Sequence, residues 1–250
     1  QTEIEAELKK INANFEVLDE NDLIEKTAKC LKNGDAVGWF QGRMEFGPRA
    51  LGGRSILGDA RSPAMQKNLN LKVKYRESFR PFAPSVLIEK IDDYFDTSKN
   101  INELSPENYM LTVNKVKDKA IKEAPAIVHV DKTARVHAVS KTHNLDFYNL
   151  VSEFYKISNV PILLNTSFNL KGEPIVSSVT DAFRTFELSN IDLLVLENYC
   201  FRIIKTSFQK STLPTKWTLL PTFWNNFGTP FPLMGSLMAP KAAKRTIPKK

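Results

Sequence analysis

The chain has 250 residues, 42% hydrophobic and 25% charged, the balance of an ordinary globular protein with material for one large or two small domains. No run of about eighteen apolar residues occurs, and the opening QTEIEAELKKINANFEV is charged and amphipathic, which excludes an apolar membrane span or signal segment and gives a cytoplasmic reading with no membrane partner. The net charge of +7 is carried by residues 206–250, which hold seven Lys/Arg and no acid, leaving 28 basic against 28 acidic residues before them; the basic end is read as a solvated tail, and nucleic acid is not an expected partner.

In chain order, residues 1–35 read as a helical lead-in: EIEAELKKI is short and amphipathic, and Asn21 or Asp22 caps a helix that puts Ile24, Ala28 and Leu31 on one face and ends at Gly34. AVGWF at 36–40 reads as a buried strand. A loop of about fourteen residues follows, carrying Gly42, Gly47, Pro48, Gly52 and Gly53. Ser62 and Pro63 then cap and open a helix over about 64–71. Strands are expected at PSVLIE, YMLTVNKV, AIVHV, ARVHAVS, PILLN, DLLVLE and CFRII, and helices near 90–95, 146–157 and 179–188, the last opened by a Ser178–Asp181 capping box. This mixture is α/β or α+β. Residues 36–205 form that domain, and 206–250, rich in Pro and Trp, a loosely ordered tail. Cys30 and Cys200 lie far apart in apolar-periodic contexts and read as buried free thiols.

Chemistry concentrates in residues 42–80. Arg43, Arg49, Arg54 and Arg61 stand among glycines, Lys72, Lys74, Arg76 and Arg80 follow, and six of the ten arginines fall here. Guanidinium groups offer paired donors to phosphate or carboxylate, and glycines let backbone N–H groups approach such an anion. The plainer alternative is a basic surface neutralised by Glu45, Asp59 and Glu77; interleaved Phe46, Leu51, Ile56, Leu57, Phe79 and Phe82 argue for a segment packed on a core. In HVDKTARVHAV, strand-like alternation brings His129, Asp131 and Arg135 to strand ends or a tight turn, and in PILLNTSFN an apolar strand ends in Asn165, Thr166 and Ser167. No HxxxH, HExxH or GxxxxGK[ST] pattern occurs, so neither a protein-built metal site nor a Walker loop is expected.

Taken together, GWFQGRMEFGPRALGGRSILGDAR, LNLKVKYRESFRPFAPSV, HVDKTARV and VPILLNTSFNLKGEPIV resemble, in this order over about residues 20–205, the C-terminal domain of the O-carbamoyltransferases of nodulation and antibiotic-tailoring pathways (NodU/CmcH type). Gly53 stands where the resemblance leads one to expect asparagine. The resemblance implies a YrdC-like twisted mixed sheet flanked by helices. It implies that the domain binds carbamoyl phosphate and ATP, with Mg²⁺ on the phosphates, and forms carbamoyl-adenylate. Transfer to an acceptor hydroxyl is then expected on a Kae1-like N-terminal domain or separate subunit, to which residues 1–35 would be the junction. Carried over, the binding positions are Arg49, Lys74, Arg80, Arg135, Asn165 and Ser167, with Arg49, Lys74 and Arg80 catalytic; Arg49 and Arg80 are expected on carbamoyl phosphate, Lys74 and Arg135 on ATP, Asn165 and Ser167 at the carbamoyl and α-phosphate region. The alternative is a nucleotide- or RNA-binding module of YrdC-like fold without catalysis of its own.

Overall fold

The computed structural model describes residues 4–6, 8, 15–97 and 100–202; the tail expected at 206–250, and most of the first short helix, lie outside them. The elements in chain order are β1 (Glu16–Val17), α1 (Glu20–Lys32), β2 (Val37–Phe40), β3 (Arg54–Asp59), α2 (Pro63–Lys72), β4 (Ala83–Leu87), α3 (Ile91–Tyr94), β5 (Phe95–Asp96), β6 (Asn114–Val116), α4 (Asp118–Glu123), β7 (Thr133–Ala134), β8 (His137–Val139), α5 (Leu145–Ser158), β9 (Ile162–Ser167), α6 (Val179–Glu187), β10 (Leu193–Leu196) and β11 (Tyr199–Arg202). One sheet has the order β1-β11-β10-β2-β3-β9-β4-β8 and a smaller one β5-β6-β7. In the large sheet β10 runs parallel to β2 and β4 to β8, and every other neighbouring pair is antiparallel. The expected mixed sheet flanked by helices is present.

Strands covered on both faces need apolar side chains at every position, and β10 (LLVL) meets that condition with all four residues buried. Leu193 and Val195 join Val37, Trp39, Leu57 and Leu163 beneath α1 and α5, meeting Leu31, Phe147, Val151 and Phe154. Leu194 and Leu196 turn the other way, to a core shared with Ile56, Leu164, Met65 and Leu69 of α2, and Phe186 of α6. A strand's period of two thus feeds two cores. Each fully buried Leu or Phe contributes about 1.5–3 kcal/mol.

Helix α1 begins at Glu20, with Asp19 and not the expected Asn21 or Asp22 as its cap, its carboxylate accepting the Asp22 N–H at 2.9 Å. The run DENDL offers several short acids, and only the one just outside the helix can cap it. Ile24, Ala28 and Leu31 are buried as expected, and Gly34 at φ +88° ends the turn. Ser62 makes no side-chain capping bond, so Pro63 alone marks that start. The Ser178–Asp181 capping box is fully formed. Cys30 and Cys200 are buried free thiols.

Three strand expectations change. β3 was not expected: RSILGD carries only two adjacent apolar residues, yet all six residues are buried. AIVHV is not a strand, because Pro125 opens a short 3-10 turn (Pro125–Ile127) and Lys132 at φ +58° closes the next one. YMLTVNKV is strand only at Asn114–Val116, since Met110 at φ +54° interrupts it.

Candidate anion-binding site

The 41–53 loop connects β2 to β3 and carries Arg49. Arg54 closes its neck from beneath: the guanidinium donates to the carbonyls of Gln41, Gly42 and Gly53, each at 2.9 Å, and lies 3.4 Å over the Phe40 ring. Glu45 accepts the N–H groups of Leu51 and Gly53, and Gly42 N–H reaches the Glu197 carboxylate at 2.8 Å. Gly52 sits at φ +99°, where a Cβ would come within 2.3 Å of the Phe147 ring; only glycine fits. At Gly53 a Cβ would meet the Glu45 carboxylate at 3.0 Å, so this loop conformation favours the residue present over asparagine.

The arginines of the 42–80 stretch divide by role. Arg54 is structural, and Arg61 makes a two-pronged pair with Asp59, closest at 2.7 Å. Arg80 is exposed and faces Glu77 at 3.7 Å. Phe46 and Phe79 are exposed, whereas Ile56, Leu57 and Phe82 are buried. The plainer, structural reading therefore holds for part of the stretch.

Arg49 is different. Its Nε is buried without a hydrogen-bond partner, as are those of Arg135 and Arg54, but Arg54 places its terminal nitrogens on three carbonyls, whereas the Arg49 and Arg135 side chains make no hydrogen bond among the described residues. The two guanidinium groups are close enough that Arg49's charge, after burial, holds Arg135 below the usual arginine range. Among the described residues no carboxylate pairs with either. Two like charges brought together without a counter-charge are costly unless an anion joins them. Arg135 is thus grouped with Arg49 and not with Lys74.

Lys74 forms the second centre. It lies just past α2, where its N–H bonds back to Leu69 O at 2.9 Å and Tyr75 takes φ +46°. Its Nζ, 6% exposed with the rest of the residue, donates to the carbonyl of Ser167 and to Asn169 at the carbonyl (3.0 Å) and Oδ1 (2.7 Å). Burial, with Arg76 adding to it, pulls its pKa down to about 7. Arg76 bonds Asn70 Oδ1 at 2.6 Å and stacks 4.6 Å over Phe82, and it is itself held below the usual range by burial and then by Arg80. Arg80's carbonyl accepts from the Asn70 amide at 2.7 Å; its guanidinium makes no contact with Ser167.

Strand β9 joins the two centres. Asn165, 1% exposed, donates through Nδ2 to the carbonyl of Ala50, the residue after Arg49, at 3.2 Å. Ser167 lies two residues on, on the same face and about 6.6 Å away at 3.3 Å per residue. The structure thus brings Arg49, Arg135 and Asn165 to one side, and Lys74 and Ser167 to the other. Two clefts of about 310 and 460 Å³ lie along β1 and α1, and none of these residues lines them. No group of three or more His, Cys, Asp or Glu side chains able to hold a metal occurs among the described residues, and no helix among them is long and apolar enough to cross a membrane.

A family model described as "Carbamoyltransferase C-terminus" matches residues 28–203. The chain belongs to that family. Relatives of this carbamoyltransferase C-terminus domain include an uncharacterized protein of Synechocystis sp., 44% identical over 86% of the chain and 37% of the relative. Nodulation protein NolO of Bradyrhizobium diazoefficiens is 40% identical over 82% of the chain and 37% of its own length, and nodulation protein U of Sinorhizobium fredii is 37% identical over 64% and 27%. The chain therefore spans about a third of the length of the curated relatives it matches. Among solved structures, the phosphate- and nucleotide-bound form of full-length HypF superposes with a TM-score of 0.50 at 21% identity, over 73% of this chain and 25% of that one, a likeness of fold.

Two residues that surround Lys74 escape a reading of isolated motifs. Asn169 was inside PILLNTSFN but past the strand end, and Arg76 stood in the basic run without distinction. Both follow their partners by two, as Lys74-x-Arg76 and Ser167-x-Asn169, a matched spacing that could have singled them out.

Proposed function

We propose that this domain binds carbamoyl phosphate and ATP and joins the carbamate to AMP, giving carbamoyl-adenylate. The observation that carries the reading is the pair of cationic centres, Arg49 with Arg135 and Lys74 with Arg76, with no carboxylate pairing Arg49, Arg135 or Lys74 among the described residues; Asn165 of β9 holds the Ala50 carbonyl next to Arg49, and Ser167 of the same strand holds Lys74. The reaction needs two anions side by side. Water hydrolyses carbamoyl phosphate to carbamate and inorganic phosphate, the carbamate oxygen attacks the α-phosphorus of ATP, and the bond to the β-phosphate breaks as pyrophosphate leaves.

In this reading Arg49 and Arg135 hold the phosphate of carbamoyl phosphate. Lys74 and Arg76, aligned by Ser167 and Asn169, hold the ATP phosphates and meet the negative charge that grows as the α-phosphorus is attacked. Arg80, exposed beside Glu77, contributes to the outer field of the same centre. Mg²⁺ arrives with the ATP phosphates, since the site's own donors are cations and amides, which suit an anion and not a metal. The finished carbamoyl group then passes to an acceptor hydroxyl on a Kae1-like domain of the longer protein or on a separate subunit. The shared fold with a protein solved in a phosphate- and nucleotide-bound form is consistent with this chemistry.

Exchange of labelled pyrophosphate into ATP tests the reading. Exchange that depends on carbamoyl phosphate is expected. A folded chain that shows none, alone and with a Kae1-like partner added, would overturn it.

A further inference from the structure

We propose that Ser85 and His137 are positioning residues that hold the Asn165 amide with its oxygen free, and that this oxygen selects a ligand carrying an N–H donor beside its anionic group. The inference rests on the carbamoyl phosphate reading and names the group by which that substrate is told from its acyl analogues.

The direction of the amide follows from what its neighbours can do. Asn165 contacts the Ala50 carbonyl at 3.2 Å and the Ser85 hydroxyl at 2.9 Å through the same side-chain nitrogen. A backbone carbonyl only accepts, so the NH₂ group must face Ala50. Both amide hydrogens are then used, the second on Ser85 Oγ. Ser85 must send its own proton onward, and His137 Nδ1 lies 2.9 Å away. That nitrogen can accept only in a neutral ring protonated at Nε2. Its setting supplies this state: His137 is fully enclosed, stacked on Phe147, and burial with the nearby His143 pulls its pKa to about 3. The chain of donation runs Asn165 to Ser85 to His137, and it has one direction.

What remains is Asn165 Oδ1, buried and without a partner. Its donor is therefore left for a ligand to supply, beside the Ala50 carbonyl that the same amide holds. The anion-binding arginines are adjacent in the chain to this relay: Arg49 precedes Ala50, and Arg135 stands two residues before His137. Carbamoyl phosphate carries an amino group next to its phosphate. Acetyl phosphate has the same shape with a methyl group there, which leaves Oδ1 unpaired, and a site built around a polar contact rejects the analogue that lacks it.

The experiment is a calorimetric titration of the purified chain with carbamoyl phosphate, acetyl phosphate and inorganic phosphate, repeated for Ser85→Ala and Asn165→Leu after thermal melts establish that each is folded. The native chain should prefer carbamoyl over acetyl phosphate by about tenfold, the worth of one hydrogen bond. Ser85→Ala should cut that preference severalfold and leave inorganic phosphate affinity unchanged. Equal affinity of the native chain for the two acyl phosphates overturns the inference and leaves the proposed function standing. An equal loss for all three ligands in Ser85→Ala overturns it too, because a merely structural serine would act that way. If no phosphate ligand binds at all, the proposed function fails and this inference with it.

Discussion

A lysine ammonium taken out of water loses hydration that oxygen acceptors only partly replace, which is why Lys74 titrates near 7 and not at its ordinary 10.5. Between those values the unfolded chain binds a proton that the folded chain does not, so this group's contribution to stability rises as pH climbs from about 7 to 10.5. An anion on the site favours the protonated form and raises the pKa again. ATP binding is therefore expected to take up a proton near neutral pH and to weaken as pH rises above about 7. Titrations at pH 7 to 9 in two buffers of different ionisation heat would measure that uptake; binding with no proton uptake across this range would show that Lys74 keeps its charge without the ligand. At this scale the sequence was informative about which residue types gather, less so about which of them are free. Arg54 and Arg49 look alike in GRMEFGPRALGGRS, and the Nε of each is buried and unpaired, but Arg54 spends its terminal nitrogens on loop carbonyls whereas Arg49 makes no side-chain hydrogen bond among the described residues. Such a difference depends on contacts between distant segments, and no local pattern encodes it.

Among the elements, the 41–53 loop shows how a site is held rigid without regular structure. Arg54 fastens its two ends, Glu45 binds two of its N–H groups, and Gly52 lets it pass against Phe147 of α5. Gly52→Ala combines a left-handed backbone with a clash against an aromatic ring and is expected to cost at least about 2 kcal/mol. Urea denaturation measures this directly, and a loss below about 0.5 kcal/mol would mean that the loop re-forms around the methyl group. Elements with a strong period or an uninterrupted apolar run, such as α1, α5, β9 and β10, were legible from sequence because burial imposes that pattern. β3 was not, since Arg54, Ser55 and Asp59 leave it no apolar alternation to read, and their burial depends on hydrogen bonds, to loop carbonyls for Arg54 and from Arg61 for Asp59, that a hydrophobic pattern does not register. AIVHV failed for the opposite reason: it has β-branched composition, but Pro125 and the Lys132 turn leave it no neighbour to pair with.

For the molecule as a whole, the large sheet separates two hydrophobic cores and β9 crosses its middle, between β3 and β4. Lys74 bonds to Ser167 of that central strand, and Asn165 of the same strand bonds the carbonyl of Ala50, next to Arg49. A central strand is the most constrained part of a sheet, so groups fastened to it keep their spacing, which is what electrostatic stabilisation of a transition state requires. Arg49 makes no side-chain hydrogen bond among the described residues, so removing it is expected to spare the fold, whereas Lys74 is buried and bonded to Ser167 and Asn169, so its removal is expected to lower stability without unfolding the chain. The most direct test of the paired-anion site is titration of ATP and carbamoyl phosphate into the chain and into Arg49→Ala and Lys74→Ala, with melting temperatures recorded alongside. The native chain should bind both ligands; Arg49→Ala should weaken carbamoyl phosphate by tenfold or more and Lys74→Ala should do the same to ATP, roughly the loss of one charge-assisted contact each, with the melting temperature nearly unchanged in Arg49→Ala and lowered without loss of folding in Lys74→Ala. Unaltered affinities, or variants that simply unfold, would contradict the assignment of these residues to ligand binding.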